Sequence, residues 1–202
     1  MRSTSVFRLT VFTLAVAAVT ALSSVAPAAR TGEARERERF TAFAVDIGVP
    51  GRASADQVEI VVERYSTDAE RDRLLKALVE KGPEKLLDTL QGLPRVGSIR
   101  TPNSIGYDLH FARKHPGADG GEEISLATDR YITFWEAKYR PRTIDYPFTL
   151  IELHIGPDGA GEGKMSLATK IMFDKKNNAV VLEDYKSQPV LLQNVRREST
   201  SQ

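Results

Sequence analysis

The chain contains no cysteine. That excludes disulfide scaffolds, thiolate zinc sites, cysteine nucleophiles and a lipid-modified N-terminal cysteine. No Asn-X-Ser/Thr sequon is present, so export would bring no N-glycans. An excess of one charge is missing too. Two of the 28 basic groups, Arg2 and Arg8, lie in the first 28 residues, which hold no acid, and the remainder nearly balances the 27 acidic groups. A duplex binder needs several uncompensated Lys or Arg, so no nucleic-acid partner is expected. At 41% hydrophobic and 27% charged, the 202 residues match neither a collagen, a multi-span membrane protein nor a wholly disordered chain.

Long apolar runs are scarce as well. The single one covers residues 9–22, interrupted by Thr10, Thr13 and Thr20. It falls short of the roughly 20 residues a spanning helix needs. Preceded by Arg2 and Arg8 and followed by Ala26-Pro27-Ala28, it reads as a removable export signal over residues 1–28. A retained N-terminal anchor is the alternative, and the short run argues against it. No transmembrane segment is expected in the mature chain, and the expected location is periplasmic or secreted. Residues 29–39, with RTGEARERER at 30–39, read as a charged linker or, alternatively, as a charged edge continuing into the first strand, residues 40–196 as one β-rich domain, and residues 197–202 as a frayed tail.

What is present is mostly period-two alternation. Phe43, Val45, Ile47 and Val49 alternate up to Pro50-Gly51, and Val58, Ile60 and Val62 follow, which predicts a first hairpin. Then the period changes. Thr67 and Glu70 form a capping-box signature, Leu74, Leu75, Leu78 and Val79 supply a helical stripe, and Gly82 ends it. Pro83 suits the first turn of a second helix carrying Leu86, Leu87 and Leu90. Such a helical hairpin, residues 67–91, cannot be stable alone and is expected to lie on a face or end of a sheet. Beyond Pro94 the alternation resumes: Ile105, Tyr107, Leu109 and Phe111; Ile124 and Leu126; Thr149, Ile151, Leu153 and Ile155; Met165, Leu167, Thr169, Ile171 and Phe173; then 180–185 and 190–195. The expectation is an α+β fold, a mostly antiparallel β barrel or sandwich of about eight strands with one inserted αα-hairpin.

Two stretches echo one another. Residues 107–128 read YDLHFARKHPGADGGEEISLAT and residues 150–169 read LIELHIGPDGAGEGKMSLAT. Each runs acid-Leu-His-apolar, then a Gly-rich loop with Asp-Gly, then Ser-Leu-Ala-Thr, which predicts two related hairpins. Residues two apart on a strand share a face, so Asp108 pairs with His110 and Glu152 with His154. If the hairpins met about a pseudo-two-fold axis, these four would form a nitrogen–oxygen ligand set for zinc or another divalent metal. The simpler reading, which the residue types favour, leaves both histidines on the wet face of a sheet, with no cofactor. His115, beside Pro116 in the loop, is expected at the surface.

Residues 131–146, YITFWEAKYRPRTIDY, are densest in aromatics. Trp135 and Tyr139 with Arg140 and Arg142 are the candidate ligand-binding residues, rings stacking on a sugar or apolar group and guanidinium forks taking an anion. A buried Trp135 with rim arginines is the competing and favoured reading. Residues 159–164, GAGEGK, are not a phosphate loop: Asp158 stands where the first Gly belongs, and Met165 where a Ser or Thr would ligate magnesium. No nucleophile elbow or HExxH helix is present.

The blocks Glu63-Arg64-Tyr65-Ser66-Thr67-Asp68-Ala69-Glu70, Arg100-Thr101-Pro102-Asn103-Ser104 and Asp145-Tyr146-Pro147-Phe148-Thr149-Leu150-Ile151-Glu152 resemble an uncharacterised family of exported bacterial proteins, over residues 40–195. The resemblance implies an exported single domain and no particular activity. The functional expectation is an exported, non-enzymatic binding or envelope-associated module. Its partner would be a small amphiphilic or apolar ligand, or an envelope component. The alternative is a metal-dependent hydrolase or metal-binding protein using the repeated acid-Leu-His units.

Overall fold

The computed structural model describes residues 37–46, 54–102, 104–130, 147–176, 179–184 and 189–198, and among these it forms ten strands and two helices. The strands are β1 (Glu38–Asp46), β2 (Ser54–Val62), β3 (Gly97–Arg100), β4 (Tyr107–Leu109), β5 (Phe111–Pro116), β6 (Glu122–Thr128), β7 (Phe148–Ile155), β8 (Ala160–Asp174), β9 (Ala179–Asp184) and β10 (Val190–Glu198). The helices are α1 (Asp68–Lys81) and α2 (Pro83–Gln91), between β2 and β3. Residues 1–28 lie outside the described residues, as do Trp135, Tyr139, Arg140 and Arg142.

All ladders are antiparallel, in the order β4-β3-β2-β1-β10-β8-β7-β6-β5, with β9 paired to the far half of β8. The α+β, mostly antiparallel expectation holds, and the helices form the one expected inserted hairpin. As laddered, the sheet is open: β4 and β5 are its two ends and do not pair with each other. They are nevertheless consecutive in the chain, joined by His110 alone.

One face of this sheet forms the main core. Phe40, Ala42 and Ala44 of β1, Val58, Ile60 and Val62 of β2, Ile99, Leu109, Ile124, Leu126, Ile151, Leu153, Met165 and Leu192 pack into one cluster without any helical residue. An apolar face must be buried against something, and among the described residues the facing strands of this same sheet, with Val96 and Tyr65, supply that cover. Strand β1 departs from expectation here. Phe43 is 48% exposed, and the inward row is Phe40-Ala42-Ala44. The two ends also differ. Glu38 and Arg39, in the expected linker, already belong to β1, and Arg197 and Glu198, in the expected tail, extend β10 opposite Phe40 and Arg39.

The helical hairpin covers part of the outer face. Thr67 caps α1 as a capping box: the Glu70 amide donates to Thr67 Oγ1 at 3.2 Å and the Thr67 amide to Glu70 Oε2 at 2.8 Å. Arg64 fixes the same carboxylate with two hydrogen bonds of 2.9 Å. Gly82 turns the chain at φ +83°, and Pro83 opens α2. Leu74, Leu78, Leu86, Leu90 and Leu93 then pack on Ala127 and Phe148, with Phe111, Leu150, Ile171 and Phe173 alongside. Leu75 and Val79, expected in the buried stripe, are 41% and 38% exposed. At 100° per residue they flank the Leu74–Leu78 line, and α2 fills the space beside it.

Two strand assignments reverse a face. Leu109 is in the inner core while Phe111 packs outside under the helices, so the strict alternation expected through 105–111 breaks at His110. The β7–β8 ladder slips by one residue between Phe148 and Leu150, so Met165 points inward whereas Ile171 and Phe173 meet the helices. Thr149 sits at that slip, wholly buried, with Oγ1 2.7 Å from Leu167 O and 2.9 Å from Arg130 O.

Candidate functional site

Each acid-Leu-His unit is held by its own local partners. Asp108 Oδ1 is 3.4 Å from Arg95 Nε. His110 Nδ1 lies 3.1 Å from the Leu93 carbonyl, which can only accept, so that nitrogen carries the proton and Nε2 faces Asp129 at 3.8 Å. On the other unit, Glu152 pairs with Lys164 at 2.6 Å, and His154 Nε2 meets Asp119 Oδ2 at 2.8 Å. The Gly121 amide and then His154 hold the Asp119 carboxyl below the usual carboxylate range.

The structure does not bring the two units together. The His110 amide donates to Ala127 O, Ala127 lies opposite Leu150, and His154 is four residues further along β7. Two strand spacings and four residues amount to roughly 16 Å. Asp108 and His110 line a cleft of about 600 Å³ on the outer face of β1 to β4, whereas Glu152 and His154 line a separate, shallow depression over β6, β7, β8 and β10. Among the described residues no three His, Asp or Glu side chains gather as a metal set.

The echo is real in its turns but its histidines are matched differently. In both loops a Gly amide donates four residues ahead, Gly117 to Gly121 O at 2.8 Å and Gly156 to Ala160 O at 2.7 Å. Asp119 and Asp158 each accept from the amide two residues on, at 3.0 and 3.1 Å, and Gly120 and Gly159 take φ of +82° and +77°. This is the three-residue hairpin with a left-handed glycine closing a bulge. Superposing turn on turn makes His115, not His110, the counterpart of His154. Both stand opposite a glutamate, Glu123 and Glu162.

No family model matches the chain, and no curated protein or solved structure matches it either. The candidate site therefore rests on geometry.

Between the helical hairpin and the outer sheet face lies a third cleft, of about 200 Å³. Four leucines, Leu74, Leu78, Leu86 and Leu90, form its roof. Phe111, Phe148, Leu150 and Ile171 form its floor. Leu75 and Val180, 41% and 46% exposed, stand on its solvent side. Its one charged group is Arg71, already held by Asp72 at 2.7 Å and Asp68 at 3.5 Å. Such a lining offers no acid–base chemistry and suits the burial of an apolar molecule. The leucine stripes signalled half of this cleft in the sequence. Its floor could not be read there, because the face reversals at His110 and in β8 put Phe111 and Ile171 outside.

Proposed function

We propose that the protein is an exported binding module that holds a small apolar or amphiphilic molecule in the cleft between its helical hairpin and its sheet. The observation that supports this is the apolar lining of that cleft, supplied by four helical leucines and four strand residues. An apolar concavity of this kind marks a ligand site more often than plain surface. At about 200 Å³ it is smaller than the ~300–1,000 Å³ of drug-sized pockets, which favours one short apolar tail over a bulky cofactor. Because Asp68 and Asp72 already engage Arg71, an anionic head gains little there, and a neutral polar head is the better match.

The same proposal takes the coiled sheet as a barrel, periplasmic or secreted. The self-packed inner cluster and the direct succession β4–His110–β5 support the barrel. No helix among the described residues is long and apolar enough to cross a membrane. The metal-dependent alternative finds less support, since its two units open into different depressions.

Straight-chain alcohols from hexanol to dodecanol test the reading, by native mass spectrometry and thermal melts. One alcohol should bind per chain. At about 100 times Kd it should add about 2.7 kcal/mol of stability. Ile171→Trp, which fills the cleft, should abolish binding while the circular dichroism spectrum is kept. Failure of every chain length to bind, or unchanged binding by Ile171→Trp, would overturn it.

A further inference from the structure

The cleft on the outer face of β1 to β4 is lined by more basic than acidic side chains. Five guanidinium groups line it, from Arg37, Arg39, Arg95, Arg100 and Arg130, against three carboxylates. They arrive from four places: the start of β1, both ends of β3, and the residues after β6. Glu59, on the strand between β1 and β3, is shared by two of them, with Arg100 at 3.1 Å and Arg39 at 3.5 Å. Asp108 is taken by Arg95, and Asp129 is turned toward His110. Two acids outside the lining also contribute, Glu63 to Arg95 at 3.0 Å and Glu198 to Arg39 at 3.7 Å, but their side chains are 42% and 45% exposed and solvent screens them. Arg130 pairs with no carboxylate among the described residues.

A guanidinium carries five N–H donors in a planar fork. Glu59 occupies one Arg100 nitrogen, and its contact with Arg39 is longer than a hydrogen bond, so both guanidinium groups that line the cleft keep N–H donors that Glu59 does not take. Several forks around a space of about 600 Å³, rather than one fork on a flat surface, fit a group with several anionic oxygens. We infer that this cleft binds a phosphoryl group, either of a soluble phosphorylated compound or of an anionic phospholipid headgroup. The inference does not depend on the apolar cleft.

Calorimetric titration of the purified full chain with inorganic phosphate at low salt tests the shared chemistry. Phosphate should bind once per chain and more weakly as salt is added. Arg130→Ala and Arg100→Gln should each weaken binding about tenfold, about 1.4 kcal/mol. Arg73→Ala, on the exposed side of α1 and away from the cleft, should leave binding unchanged. Arg130 is exposed, so its variant keeps the test valid even if Arg100→Gln unfolds. Co-sedimentation with phosphatidylglycerol vesicles, but not with phosphatidylcholine vesicles, showing the same arginine dependence, would identify the headgroup as the source. Phosphate binding without vesicle binding would identify a soluble compound. If neither binds, or if Arg73→Ala weakens binding as much as Arg130→Ala, the inference is wrong.

Discussion

Tyr65 Oη donates a hydrogen bond to Glu38 Oε2 at 3.0 Å, joining the segment after β2 to the first residue of β1 at one end of the inner face. Glu38 also receives Lys114 Nζ of β5 at 2.9 Å, and Lys114 lies over the Tyr65 ring at 5.1 Å. Arg197 of β10 contacts both Glu38 and Glu122 of β6. All four charged residues continue inward-facing rows, Glu38 before Phe40, Lys114 after Ala112, Glu122 before Ile124, and Arg197 after Val195. Strands β1 and β10 thus meet β5 and β6 across the inner face, although β8 and β7 separate them in the ladder. These ion pairs bridge the two halves of the sheet across its inner face. Among the described residues, the buried guanidinium Nε of Arg197 has no hydrogen-bond partner there.

That network should limit stability at both ends of the pH scale. Burial alone would raise the Glu122 carboxyl, but hydrogen bonds from Arg197 and Lys114 outweigh it and hold it below its ordinary value. A depressed carboxylate stabilises the fold above its unfolded pKa, and the contribution is lost as pH falls through the folded one. Burial, then the neighbouring Glu38 charge, push the Tyr65 hydroxyl far up. For Lys114 burial pulls downward, but its bonds to Glu38 and Glu122 prevail and raise it. Both groups stay protonated in the fold where the unfolded chain would release protons, so stability should fall as pH rises above about 10. Urea unfolding across pH should show both limbs. In Tyr65→Phe the alkaline limb should shrink, with a loss of about 1–3 kcal/mol at neutral pH because Glu38 loses a donor. An alkaline limb unchanged in Tyr65→Phe would mean that the tyrosine does not titrate with folding.

Neighbouring leucines of α1 should respond very differently to truncation. Leu78 is 4% exposed and packs with Leu74, Leu86 and Phe148, whereas Leu75 is 41% exposed. Leu78→Ala should cost about 2–5 kcal/mol, the range for a buried leucine that leaves a cavity. Leu75→Ala should stay within about 1 kcal/mol, since little area returns to water. Chemical denaturation of the two variants decides it. Equal and small losses would mean that the hairpin is only loosely attached to the sheet.

The limits of the sequence reading lie at the places where a strand changes face. The capping box at Thr67, the Gly82-Pro83 break and the leucine stripes are local signals, and each gave its element correctly. Period-two alternation, by contrast, tells which residues share a face only while the pleat is unbroken. His110 breaks it on one strand and an extra residue in β8 breaks it on another, so Phe111 and Ile171 moved from the expected core to the floor of the apolar cleft. The arginine cleft left no linear trace. Arg39, Arg100 and Arg130 are about 30 to 90 residues apart, and only strand order places them around one space. The echo was legible because a hairpin turn is written in consecutive residues.

The two echoed turns should fail in the same way when their glycines are replaced. Gly120 and Gly159 sit at φ +82° and +77°, a region where a side chain costs about 1–2 kcal/mol. Neither position is crowded. A Cβ at Gly120 meets nothing within 4 Å, and at Gly159 it meets only the Arg197 side chain at 3.8 Å. The penalty therefore comes from backbone strain alone, and Gly120→Ala and Gly159→Ala should lose nearly equal stability. Asn also tolerates this region, so Gly→Asn at either turn should recover part of the loss. The measurement is urea unfolding of the four single variants. A large loss at one turn with none at the other would show that the shared hydrogen-bond pattern hides two different conformational equilibria. Equal losses, partly restored by Asn at both, would establish that the repeated Asp-Gly pair does the same physical task twice.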